Sequence, residues 1–164
     1  MRCCRGGFFS CLVSVIFGVV LPLAAQQPLA SQNAIVGVWR VVDYNAGGRT
    51  SHPQPGYWIF TAKHFAMVME TRDDVKRPEI TDSDNATAKE LLASWAPFAA
   101  QFGTYETKGD VLTLHILAAK NPGLVGARRL QKFTVNGTTL RTEALLIDGK
   151  PMSKPVTLTF ERAE

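Results

Sequence analysis

Residues 33–44 read "NAIVGVWRVVDY". Apolar residues recur at every second place through most of the stretch, which is the period of a strand. That period sets Gly37, Trp39 and Val41 on one face, so the least bulky side chain and the bulkiest are neighbours there. A counterpart lies at the far end of the chain. "PVTLTFER" (155–162) also alternates and sets Val156, Leu158, Phe160 and Arg162 on one face. If the first and last strands pair antiparallel, the start of one lies beside the end of the other. Trp39 and Arg162 then meet on a shared inner face. An arginine over an indole ring contributes about 0.5–2 kcal/mol, depending on burial. Gly37 leaves room for the ring and its partner, and Trp39 becomes the expected plug of a closed barrel end.

The residues between these two runs read as further strands. "YWIFT" (57–61) and "HFAMVME" (64–70) are joined by Ala62-Lys63 and form an expected hairpin. "FGTYETKGDVLTLHILA" (102–118) turns at Lys108-Gly109-Asp110, and "GARRLQKFTVNGTTLRTEALL" (126–146) turns at Asn136-Gly137. Asn-Gly between alternating runs is a strong hairpin signal. "NAGGRTSHPQPG" (45–56) is loop by its glycines and prolines, and "TRDDVKRPEITDSDN" (71–85) is a long polar connection. Leu91, Leu92 and Trp95 recur at helical spacing, which predicts a helix over about 86–95, capped by Asp84 or Asn85 and ended by Pro97. The pattern predicts an all-β domain of about eight antiparallel strands with one inserted short helix. An up-and-down barrel closes such a set and removes its exposed edges. A β-sandwich is the alternative that strand counting leaves open.

The first residues are of another kind. "MRCCRGG" carries two arginines and no acid, and "FFSCLVSVIFGVVLPLAA" (8–25) carries no charge. A basic start, an apolar middle and small residues at the exit make a secretory signal peptide. Cleavage is expected after Ala25, followed by a short polar lead-in (26–33) and the barrel domain (34–164). The rival is an uncleaved anchor. The apolar run of 18 residues is at the short end for spanning a bilayer, and Pro22 and the two alanines favour cleavage. The expected location is periplasmic or extracellular, without stable membrane insertion after cleavage.

Cleavage removes Cys3, Cys4 and Cys11, leaving no disulfide or thiolate chemistry. It also removes Arg2 and Arg5, so 16 basic residues face 14 acids and the net charge falls from +4 to +2. Without a clustered patch this gives no support for nucleic-acid binding. "GARRLQK" (126–132) holds three basic residues on both faces of a strand and reads as solvated charge.

The Gly-x-Trp of Gly37 to Trp39 and the late Arg162 resemble the calycin signature of lipocalins. The ordered set "IVGVWRVVDY", "PQPGYWIFTAKHF", "KRPEIT", "FGTYETKGDVLTLHI", "NPGLVGARRLQKFTVNGTTL" and "LTFER" is similar to the bacterial lipocalin-like domain family over nearly all of residues 34–162. The resemblance implies an antiparallel barrel and no agreed catalytic set. Many relatives carry a paired histidine where this chain has Leu114-His115, so only His115 carries over.

Candidate chemical residues are few. His52, His64 and His115 are scattered, with no metal-binding spacing, and neither a metal nor an organic cofactor is expected. His115 is the one catalytic candidate. Leu112, Leu114 and Ile116 form the apolar face of its strand, which turns His115 outward. Glu70, Glu106 and Glu143 read as outward, solvated acids. The expected ligand-binding wall is Tyr57 and Ile59 on one run with Phe65, Met67 and Met69 on the next, because methionines suit irregular apolar cavities. The open end is expected opposite Trp39, rimmed by the loop 45–56 and the turn at Lys108-Gly109-Asp110. The functional expectation is an exported protein that binds a small apolar molecule within the barrel. Alternatives are an enzyme of isomerase, cyclase or hydratase type acting on such a molecule, and a packed barrel that serves as an interaction module. A buried histidine or carboxylate beside a cavity would favour the enzyme, and a dry apolar cavity the binder.

Overall fold

A computed structural model of the chain describes residues 34–53 and 55–164. The expected signal peptide (1–25) and lead-in (26–33) lie outside the described residues. The strands are β1 (Gly37–Ala46), β2 (Arg49–Ser51), β3 (Gly56–Phe60), β4 (His64–Glu70), β5 (Phe98–Lys108), β6 (Val111–Ala119), β7 (Arg128–Asn136), β8 (Thr139–Ile147) and β9 (Lys150–Arg162), with a helix, α1 (Ala88–Trp95), between β4 and β5. β1 and β3 to β9 pair with their neighbours in chain order, and β9 returns to β1, all antiparallel. The result is a closed eight-stranded barrel. β2 is a short addition that continues on the edge of β1 where β3 leaves off.

Closure rests on the pairing read from the two ends of the sequence. Trp39 lies opposite Arg162 in the β1–β9 register. The Arg162 guanidinium sits 4.1 Å from the centre of the Trp39 ring. It donates to the carbonyls of Val36 at 2.9 Å and Ala34 at 2.8 Å. The Trp39 indole N–H donates to Ile35 O at 2.7 Å. Arginine and tryptophan together hold the segment before β1 across the barrel end. Gly37 makes this possible. Its φ is +140°, and a Cβ there would lie 2.5 Å from Arg162 Nη1 and 2.9 Å from Glu164 O.

Above this plug the inner face is aromatic and aliphatic. Trp58, Phe60, Phe65, Tyr105, Leu112, Leu114, Ile116, Phe133, Leu140 and Phe160 are all buried. The Trp58 ring lies tilted against Phe160 and Phe60, at 5.3 and 5.7 Å between centres, and Phe60 meets Tyr105 edge-on at 5.1 Å. Such pairs add about 0.5–1.5 kcal/mol each beyond simple area burial.

Several boundaries differ from the sequence reading, each for a local reason. The loop 45–56 contains β2, which returns on β1 through Gly47 and Gly48, both at positive φ. The helix cap is Thr87 rather than Asp84 or Asn85. Thr87 and Glu90 form a reciprocal capping box: Glu90 N–H donates to Thr87 Oγ1 and Thr87 N–H to Glu90 Oε2. Phe98 to Gln101 is strand, because Pro97 ends the helical run and Met67 to Glu70 supply a pairing edge. β9 begins at Lys150, since Asp148 (φ +49°) and Gly149 (φ +74°) form a tight hairpin turn.

The turn at Gly109-Asp110 lies at the closed end and not at the open rim. β3 and β4 together return the chain to the open end, the 71–97 connection spans that end, and β5 then runs back towards the plug. The open rim carries the β1–β2 hairpin, the 71–97 connection with α1, residues 120–127 and the Asp148-Gly149 turn.

Trp39→Ala is expected to destabilise the fold by about 3–5 kcal/mol, the usual effect of emptying a buried tryptophan site. Thermal or denaturant melts check this, and a near-neutral result contradicts the plug.

Candidate functional site: a cavity beneath the open end

The aromatic core does not fill the barrel. It stops at Trp58, and above Trp58 a cavity of about 250 Å³ opens towards the rim. Met67 and Met69 of β4 form one wall, Ala99 and Gln101 of β5 the next. Val156 and Leu158 of β9 close the far side, with Tyr44 of β1 beside them. Arg129 of β7 and Ala144 of β8 complete the ring, and Thr71 and Met152 stand at the mouth. Small or unbranched side chains at this level, Ala99, Ala144, Met67 and Met69, leave the space. Alanines occupy places where the closed half carries phenylalanine and leucine.

The polar groups on this wall are unusual in being unanswered. Four buried side-chain atoms lack a hydrogen-bond partner among the described residues: Trp58 Nε1, Gln101 Oε1, Arg129 Nε and Gln131 Oε1. The first three belong to cavity-lining residues, and Gln131 is the next inward residue along β7. Buried polar atoms without partners are uncommon in folded proteins, because each forfeits its hydration. Burial pushes the Tyr44 phenol above its ordinary value, and the nearby Arg129 charge opposes that shift. Burial pushes Arg129 down, and Tyr44 opposes. At neutral pH Tyr44 is therefore a neutral hydroxyl and Arg129 a guanidinium cation.

The residues expected from sequence divide between inside and outside. Met67 and Met69 line the cavity. Phe65 points inward but lies deeper, in the aromatic core against Trp58 and Phe60. Tyr57 and Ile59 are corrected: they face outward, 41% and 43% exposed. The β1–β3 register sets Trp39 opposite Trp58 and Gly37 opposite Phe60, so the even-numbered residues of β3 share the inner face with the plug. His115 also faces outward, with its Nε2 3.5 Å from Glu106 Oε1. His64 stacks on Phe102 outside the barrel, and His52 pairs with Asp43 at 2.8 Å. Among the described residues no group of three or more His, Cys, Asp or Glu side chains is placed to hold a metal ion.

Tyr44, Trp58, Gln101 and Arg129 were not expected at the site. Tyr44 was hidden by a bulge between Val41 and Asp43, which moves the inner face of β1 from odd to even residues. Arg129 is a correction to the solvated reading of "GARRLQK". Arg128 and Lys132 do face solvent, but Arg129 shares its parity with buried Gln131 and Phe133. The inward Phe133 was the signal that could have found it.

A family model described as a lipocalin-like domain matches residues 36–163. The chain belongs to the lipocalin-like domain family. Its antiparallel barrel is the fold the sequence resemblance implied. A crystal structure of an uncharacterized protein from Bacteroides eggerthii DSM 20697 is similar at 12% identity and a TM-score of 0.44, covering 77% of this chain and 98% of that one. No curated protein matches the sequence.

The tyrosines set an alkaline limit on this lipocalin-like barrel. Tyr44 and Tyr105 both have folded pKa values raised by burial above the ordinary 10.0. Unfolded, they lose their protons near that value. Their contribution to stability is therefore complete below pH 10 and disappears as the pH rises through the folded values. Tyr44→Phe should flatten part of this alkaline loss in melts recorded across that range. An unchanged alkaline slope would contradict the burial of the Tyr44 hydroxyl.

Proposed function

We propose that this lipocalin-like barrel binds a small, largely apolar molecule in the cavity beneath its open end. The observation that carries the reading is the void above Trp58, walled mainly by methionine, alanine, valine and leucine. Small-molecule sites commonly occupy about 300–1,000 Å³. A cavity near 250 Å³ lies just below that range and suits a correspondingly small ligand.

The enzyme reading has less support. Among the described residues no histidine and no carboxylate lines the cavity, so general acid–base chemistry there would fall to Tyr44 and Arg129. A wholly packed interaction module does not account for the void. If residues 1–25 direct export as their pattern suggests, the ligand is met outside the cytoplasm.

Filling the void tests the reading. Ala99→Phe places a ring where the cavity now stands. It is expected to reduce uptake of an apolar fluorescent probe at least about tenfold, with a melting temperature no lower than that of the parent. Unchanged probe uptake in the folded variant would place the ligand elsewhere.

A further inference from the structure

The cavity is apolar in its walls but not in its charge. Among the described residues its lining includes one arginine and no aspartate or glutamate. Most other arginines among the described residues are matched, and Arg141, which has no partner there, is exposed to solvent. Arg40 pairs with Glu161, Arg77 with Glu70, and Arg128 with Glu106. Arg162, on the inner face at the closed end, donates to two carbonyls and covers an indole ring. Arg129 makes no ion pair among the described residues, and its Nε is shielded from solvent without a partner. Removing a guanidinium from water without compensation is costly, and a carboxylate is the group that matches its planar fork.

A second unanswered donor belongs to a residue of the same lining. Trp58 is fully buried at the cavity floor, and its indole N–H has no acceptor among the described residues. Indole offers a donor only, so it can be satisfied only by an acceptor. Tyr44 adds a hydroxyl that also donates. Gln101 can turn either end of its amide to the cavity, so it accommodates an acceptor as well as a hydroxyl. Arg129, Trp58 and Tyr44 thus present three donors to a chamber whose remaining wall is chiefly Met67, Met69, Val156 and Leu158.

Resting on the binding function proposed above, we infer that the ligand is an amphiphilic monocarboxylate, its anionic head held by Arg129 and its apolar body lying along the methionine and β9 walls. The head supplies the acceptors that Arg129 and Trp58 lack. The size of the cavity limits the body to a medium-length chain or a single ring.

Competition between decanoate and decanol for a bound apolar fluorescent probe tests this on the full protein at neutral pH. The two share a tail and differ in the charge of the head. Decanoate is expected to displace the probe at least about tenfold more effectively than decanol. The preference should fade as the pH falls through the ordinary carboxyl range, near 4. In Arg129→Met the preference should vanish while decanol still binds. That variant should melt no lower than the parent, because it breaks no ion pair among the described residues and removes a shielded Nε that lacks a partner. Equal displacement by both ligands in the parent protein would overturn the carboxylate assignment and leave the cavity reading standing. Failure of the probe and both ligands to bind would overturn the two together. A preference that survives in folded Arg129→Met would also overturn it. If that variant does not fold, the comparison in the parent protein decides alone.

Discussion

The contact between Trp39 and Arg162 is the constraint on which the rest of the barrel depends. It joins residues from opposite ends of the domain and fixes the register of β1 against β9. That register closes the sheet, and closure removes the long unpaired edges that an open sheet of this size would expose. It also decides which face of each neighbouring strand turns inward, since a slip of one residue would reverse every side chain. Gly37 serves the same contact by keeping its place free of a Cβ that would strike Arg162. With one end sealed by an indole, a guanidinium and the carbonyls of residues 34–36, any internal space has to lie at the other.

Side-chain volume follows this asymmetry along the barrel axis. The closed half is filled by Phe60, Phe65, Phe133 and Phe160. The open half has Ala99, Ala144 and two methionines at the same radial position. The connections divide in the same way. Two of the three closed-end turns, at Gly109-Asp110 and Gly137-Thr138, have two residues, and the third is 61–63. The open end carries the long 71–97 connection, which Lys120 ties to the barrel through the carbonyls of Trp95 and Phe98 at 2.6 and 2.8 Å. Variable, longer segments over one end of a rigid barrel are where binding is generally accommodated. Donors without partners gather beneath these segments and not at the sealed end, where Trp39 and Arg162 are both satisfied.

Much of the fold was legible in the sequence because its signals are local. Asn136-Gly137 announces a turn, "HFAMVME" alternates cleanly, and the paired signals at Trp39 and Arg162 announce closure. The Thr87 to Glu90 capping box and Asp148-Gly149 were equally local and were passed over. The site was less legible for a different reason. Which face of a short strand points inward depends on its register with a neighbour, and both faces of "YWIF" are apolar. The expected wall therefore takes Tyr57 and Ile59, and only the pairing with β1 shows that Trp58 and Phe60 are the inward pair. Tyr44 lay beyond a bulge that parity cannot foresee. Arg129 reads as solvated charge because the basic residues of "GARRLQK" fall on both faces of the strand, and only its register with β6 and β8 shows which of them turns inward.

The three tryptophans report on the sealed end, the cavity floor and the outer surface. Trp39 is buried with its N–H bonded to Ile35 O, Trp58 is buried with its N–H free of a protein partner, and Trp95 is 52% exposed. A proton–nitrogen correlation spectrum resolves one indole signal for each. On titration with decanoate, the account predicts that the Trp58 signal moves as its N–H gains an acceptor, while Trp39 stays fixed. A titration that shifts Trp39, or that leaves Trp58 unmoved while the ligand binds, would contradict a barrel sealed at one end and loaded from the other.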